Sequence, residues 1–523
     1  MKGLCILLAT VLCIWPVTGQ QFINPVLWED LADLDIFRVD DAFYYSASTM
    51  HYSPGAPILR SYDLVNWEYL GHSVPTLDFG TKYDLVDGQS AYVKGIYAST
   101  MRYRASNGLF YWIGCIESSQ TYIYTASAIT GPWTKRATIA TCYYDAGLLV
   151  DDDDDSMYVA YGNTQISVAE LSSDGLSQVK TQMVYDTPSD IGVLEGSRMY
   201  KINGAWYIFV TRPANGQYVL RSTSGPFGPY TIKELLLDIG SPIAGGGVPH
   251  QGGMVQTPNG DWYYMAFVDS YPGGRVPVLA PITWGSDGFP VLTTVNGNWA
   301  SSYDYPLPEY AVRAHNGTDV FPGPSLGPEW EWNHNPDTSK SFVGDGAGLT
   351  LSTATVTSDL YGARNTLTHR ILGPTSSGTI VLRYADMADG DRAGLALLRD
   401  TSAWIGVQQN RGSFRVSMWS GLTMTSTWTT ASTGFEVAGA AVTGGLMYLR
   451  IYADIEPGSG RQARFYYSTD GSAFTELGSL VLNNAWQFFL GYRYAIFNHA
   501  TAALGGSVSV SSFTVDTPGR TVS

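Results

Sequence analysis

One pattern recurs five times in the first half of this chain, and it narrows the available folds more than any other feature. Apolar residues lead into a tight polar turn, then a dyad ending in an aromatic, then more apolar residues. The copies are FRVDDAFYYSAS, MRYRASNGLFYWIGC, LLVDDDDDSMYVAYG, RMYKINGAWYIFVTR and MVQTPNGDWYYMAFV. Each reads as a β-hairpin with Asp, Asn or Gly chemistry in the turn. The dyads begin at Phe43, Phe110, Met157, Trp206 and Trp262, at intervals of 67, 47, 49 and 56 residues. Such intervals leave room for four strands per unit, and five four-stranded units predict a five-bladed β-propeller. SYDLVNWEYLG, ITGPWTKRA and FGPYTIKEL read as blade-ending strands. The helical period is nowhere sustained.

The texture changes at the Pro-Gly-Pro-Ser stretch, 322–325. Alternating strands follow without the blade repeat, among them GTIVLRYADM, RAGLALLRD, AWIGVQQN, LMYLRIYAD and FFLGYRYAIF, which predicts a β-sandwich. The expected organisation of this all-β chain is a leader over 1–19, a propeller over 20–322 and a concanavalin-like sandwich over 323–523. Lys2, the apolar run Leu4–Leu12 and the small residues at Val17–Gly19 supply the leader, so a secreted product is expected. The apolar run is short of the ~20 residues that span a bilayer. Two of the four cysteines lie in that leader. Cys115 and Cys142 remain, and in an oxidising compartment they are expected to form a disulfide. Asn316-Gly317-Thr318 is a glycosylation sequon expected in a loop.

Charged residues make up only 15% of the chain, against roughly 25% in an average soluble protein. The net charge of −16 argues against nucleic acid and anionic membranes as partners. With 35 Tyr and 15 Trp, the composition suits a neutral ligand with apolar ring faces and many hydroxyls, such as a carbohydrate.

Equivalent positions ahead of each dyad carry chemistry. Asp33 stands 10 residues before Phe43, Asp145 12 before Met157, Glu195 11 before Trp206, His250 12 before Trp262 and Tyr97 13 before Phe110. The strand before the dyad is the innermost of a blade, so these side chains are expected at one mouth of the central channel. Three carboxyls in a concave site suit general acid/base work on a glycosidic bond, one protonated and one ionised. Asp35 competes with Asp33 for the role of base, because an alternating strand would turn both to one face. The Asp151–Asp155 run reads as a solvated turn. Trp28, Tyr97, Tyr143 and Tyr144 are candidate sugar-stacking surfaces by their proximity to the acids in sequence.

These residues also carry a resemblance. Asn24-Pro25-Val26-Leu27, Ala32-Asp33-Leu34-Asp35-Ile36, Ser61-Tyr62-Asp63-Leu64-Val65-Asn66-Trp67, Gly95-Ile96-Tyr97-Ala98-Ser99 and Leu194-Glu195-Gly196-Ser197 resemble segments of glycoside hydrolase family 43. Gly274-Arg275 through Trp284 resembles the end of its propeller, and Leu326–Trp330 with Phe465–Ser468 resembles the C-terminal domain of its β-xylosidase-like members. The resemblance implies an inverting hydrolysis with Asp33 as base, Glu195 as acid and Asp145 orienting and tuning the acid. Arg275 is a candidate for contact with substrate hydroxyls or the acid cluster, with an ordinary ion pair as the alternative. The resemblance makes His250 the channel histidine, associated in the family with a bound calcium ion or a water cluster; a hydrogen-bonded structural histidine is the alternative to a metal role, and no cofactor is required for the chemistry. Leu34 stands where the family often has Pro, and Tyr97 where a Trp is common. Within the family the chain most resembles fungal secreted α-L-arabinofuranosidases, which act on arabinoxylan. A β-xylosidase acting on xylo-oligosaccharides and a non-catalytic carbohydrate-binding propeller are the alternatives.

Overall fold

The computed structural model describes residues 20–517, apart from 345 and 347; the expected leader lies outside the described residues. The first half of the chain is a five-bladed propeller, and every blade is a four-stranded antiparallel sheet built from one continuous stretch. The inner strands are Asp35–Val39, Thr100–Arg104, Gly147–Val150, Glu195–Ile202 and His250–Gln256. All five dyads sit on the second strand of their blade, as the repeat predicts. Turn chemistry explains the tightness of the hairpins. Asn203 and Gly204 join Ile202 to Ala205 with φ of 50° and 75°, the paired left-handed geometry that a two-residue turn requires. Inner strands pack side by side around the axis, and the fifth returns to the first.

Closure is made outside the blades. Gln21–Ile23 pairs with Ser302–Asp304, and the Asn24 side chain both donates to the Leu279 carbonyl and accepts from the Leu279 N–H. Two hydrogen bonds from one buried amide thus pin the start of the chain to blade five.

The second half is a sandwich of two eight-stranded sheets. Its first strand, Gly317–Asp319, pairs with Ser507–Asp516 and so lies just ahead of the Pro-Gly-Pro-Ser stretch. Asn316 precedes that strand, half-buried, with its amide donating to Thr517 Oγ1. FFLGYRYAIF is not one strand. Trp486–Phe488 is a single 3₁₀ turn, Phe489 has φ of 64°, and the strand begins only at Arg493. Alternation alone cannot mark such a break, because the aromatics on both sides are apolar.

The two halves share a sheet. Tyr52–Ser53, from a loop of blade one, adds an edge strand beside Trp330–Asn333 of the sandwich. Buried Glu331 pins the junction, accepting from Arg370 and Arg493 of the sandwich and pairing with His72 of blade one.

Candidate active site

The acids lie where the inner strands begin, at one mouth of the channel. Asp33 precedes the first inner strand with φ of 55°, Asp145 precedes the third with φ of 51°, and Glu195 is the first residue of the fourth. Both aspartates adopt the left-handed backbone, which Asp takes more readily than most residues, and it turns their side chains off the strand line. Gly196 follows with φ of 68°, where a Cβ would meet Gln251 and Thr211. That turn aims the Gly196 N–H at Asp145 Oδ2, 3.1 Å away. The three acids share a cavity of about 420 Å³ with Tyr97, Tyr144, Lys94, Gln251, Arg275, Trp428 and Phe489.

Each carboxyl has a distinct environment. Asp33 accepts from Ser48 Oγ at 2.6 Å and is ion-paired to Arg275 Nη1 at 2.7 Å. Burial opposes the charge of Arg275, but the Asp33 carboxylate outweighs it and holds the guanidinium charged. Glu195 Oε2 accepts from Asn163 Nδ2 at 2.6 Å and from Tyr144 OH at 3.2 Å. Burial pushes the Glu195 carboxyl above its ordinary value, and the charge of Asp33 adds to this against the Tyr144 and Asn163 hydrogen bonds. Asp145 is raised further, by burial first and then by the charges of Glu195 and Asp33. Crowding of this kind disfavours ionisation of both Asp145 and Glu195. A site of this kind offers one carboxyl paired to a cation, Asp33 with Arg275, facing an acid whose ionisation is disfavoured.

Asp35 is elsewhere. It is fully buried between blades, accepting from Thr100 Oγ1, the Met101 N–H and Arg102 Nη1. Burial opposes its charge, but Arg102 and Arg198 hold its carboxyl below the ordinary range. The expectation that Asp33 and Asp35 share a face fails because Asp33 is not on the strand; its left-handed turn points it to the mouth.

Two further expectations need correction. Trp28 does not line the cavity; it packs in the core over Gly373 of the sandwich, whose N–H donates to the Trp28 carbonyl. Tyr143 is fully buried between blades, its ring 4.8 Å from Tyr161. His250 is buried too, with Nδ1 against the Val248 carbonyl and its ring edge-on to Phe267. No group of three or more His, Cys, Asp or Glu placed to hold a metal ion occurs among the described residues. No step below is routed through a metal. Tyr97 and Tyr144 do line the cavity, and burial pushes the Tyr97 phenol up to about 12.

Cys115 and Cys142 form a disulfide, with Cα atoms 5.2 Å apart. It ties blade two to the segment that delivers Tyr144 and Asp145.

Several site residues were outside the reach of the repeat. Arg198, fully buried in the channel, donates to the carbonyls of Asp33, Leu34, Ala146 and Ser197, so one guanidinium gathers three blades beneath the acids. Its strand, EGSRMYKI, carries a second cation at Lys201, so nothing local set Arg198 apart. Asp30 accepts from the Arg275 N–H and from the Gly491 N–H of the sandwich. Trp428 and Phe489 come from the sandwich, and the Phe489 carbonyl accepts from Arg275 Nε.

Asp145→Asn is expected to stabilise the fold at pH 7 while lowering turnover about 10²-fold through a displaced acid. A raised aspartate binds more protons folded than unfolded, so wild-type stability falls as pH rises above the ordinary value of 3.8. Thermal unfolding should show the gain at pH 7 and its disappearance as pH is brought down toward 3.8.

Comparison with known proteins agrees with this architecture. Residues 22–290 match Glycosyl hydrolases family 43, and residues 318–516 match the Beta xylosidase C-terminal Concanavalin A-like domain. A β-xylosidase of Formosa agariphila is 28% identical over 97% of this chain and 92% of its own. A non-reducing end α-L-arabinofuranosidase of Bacteroides ovatus is 28% identical over 64% of this chain and 66% of its own. Among solved structures, a family-43 glycoside hydrolase engineered to display both endo-xylanase and exo-arabinofuranosidase activity superposes with a TM-score of 0.92. It is 48% identical over 95% of this chain and all of its own. Propeller, acid-lined mouth and appended sandwich thus have one source: the chain belongs to glycosyl hydrolase family 43.

Proposed function

We propose that the protein is an exported, exo-acting glycosidase that removes α-L-arabinofuranosyl side chains from arabinoxylan with inversion. The observation that carries this is the division of labour among the carboxyls. Arg275 pairs with Asp33, which suits it to take a proton from water as general base. Glu195, its carboxyl raised by burial, suits the delivery of a proton to the leaving oxygen. Asp145, its own carboxyl raised by burial and by the charges of Glu195 and Asp33, orients the acid's segment by accepting from the Gly196 N–H. A cavity of about 420 Å³ lies at the small end of ligand pockets, which run ~300–1,000 Å³, and suits a terminal sugar better than a long chain. The preference for arabinose is supported by the 48% identical relative, whose described activities include exo-arabinofuranosidase. The Cys115–Cys142 disulfide supports an oxidising destination.

A β-xylosidase is the second reading, favoured by the match to the Formosa agariphila enzyme along nearly the whole chain. Chromatography of the products from arabinoxylan and from xylobiose separates the two. Free arabinose with little xylose is expected; faster cleavage of xylobiose would replace the arabinosidase reading. Proton NMR of the first-formed sugar should show the inverted anomer, whereas a retained one would make Asp33 a nucleophile.

A further inference from the structure

We propose that the sandwich loop 483–491 is a stacking platform for the main chain of the polysaccharide, with Trp486 as its contact residue. The proposal rests on the polymer-acting reading above and adds where the rest of the polymer lies. Phe489 and Trp428 of the sandwich form part of the cavity wall. Trp486 stands outside that wall with its ring edge-on to Phe489, centroids 5.6 Å apart, and remains 56% exposed. A chain leaving the cavity on this side would meet the Trp486 face next.

The loop is held more firmly than its exposure requires. Arg399, fully buried, donates to the carbonyls of Asn483, Ala485 and Leu490 and is flanked by the rings of Tyr271, Phe488 and Tyr492. Asn483 donates to Asp400 at 2.6 Å, and the Gly491 N–H donates to Asp30 of the propeller. The Phe489 carbonyl accepts from Tyr271 OH and Arg275 Nε. Burying a guanidinium is costly unless its hydrogen bonds are met; here they fix the backbone beneath an exposed indole. A ring fixed in advance binds without the ordering cost of a mobile side chain. Its face offers no charge, so the ligand it suits is a neutral pyranose presenting C–H groups.

The test uses the full chain. Trp486→Ala should lower kcat/KM on polymeric arabinoxylan about five- to tenfold relative to kcat/KM on 4-nitrophenyl arabinofuranoside, with the change in KM, and Trp486→Phe should restore most of it. In parallel, xylohexaose is titrated into Glu195→Gln and into Glu195→Gln/Trp486→Ala; a Kd weakened by a similar factor in the double variant is expected. Equal loss on both substrates, or an unchanged xylohexaose Kd, would overturn the platform. Release of xylose in place of arabinose by the wild type would overturn the arabinosidase reading alone, because the xylohexaose comparison does not depend on which sugar is removed.

Discussion

Glu195→Gln should lower kcat on arabinoxylan by about 10²–10⁴-fold, the usual contribution of a positioned general acid. The amide has no proton to give the leaving oxygen, and an alkoxide of a sugar is a poor leaving group without one. An aryl arabinoside, whose phenolate departs readily, should lose far less. Little else should change, since the amide oxygen can still accept from Tyr144 OH and Asn163 Nδ2. The pH profile gives a second readout. Because the Glu195 carboxyl is raised by burial and by Asp33, wild-type activity should fall as pH rises through that raised value. On the aryl substrate the variant should lack that alkaline limb. Equal loss on both substrates with the limb intact would remove Glu195 from the acid role.

Asp33 and Asp35 should separate cleanly when each is changed to asparagine. Asp33→Asn is expected to lose about 10²–10⁴ in kcat on both kinds of substrate, because water must be activated whatever the leaving group. Its fold should survive, as Asn can still accept from Arg275 Nη1 in place of the ion pair. Asp35→Asn acts on stability instead. Breaking a buried pair typically costs about 3–5 kcal/mol, and here both Arg102 and Arg198 lose their counter-charge between blades. Denaturant unfolding beside activity per folded molecule distinguishes the two. A folded but inactive Asp35→Asn, with Asp33→Asn active, would move the base by two residues.

The five dyads made the propeller legible because a blade repeats its inside-outside pattern. The same offsets brought Asp33, Asp145 and Glu195 to one mouth although 162 residues separate the first from the last. Facing was less legible. Strand alternation put Asp33 with Asp35, but alternation ends where the backbone turns left-handed, and no local signal announces φ of 55° at an aspartate. Nearness in sequence misled at Trp28 and Tyr143. Each lies within a few residues of an acid, yet a turn between them sends the ring into the core. Phe489 and Trp428 were beyond any local reading, since their place at the site depends on how the sandwich docks. That docking is written in long-range bonds such as Gly491 to Asp30.

The strand Tyr52–Ser53 has a consequence for how such proteins can be recombined. A module that is exchanged between genes as a cassette should leave no hydrogen-bond ladder behind when it is cut out. Here a cut anywhere near residue 317 would strip the sandwich of its last strand and leave Trp330–Asn333 as an open edge, a template for pairing with foreign chains. It would also take His72 from Glu331, leaving that carboxylate to Arg370 and Arg493 alone. The propeller and the sandwich therefore do not part cleanly at that point, and grafting this sandwich onto an unrelated catalytic unit would need the blade-one loop to travel with it.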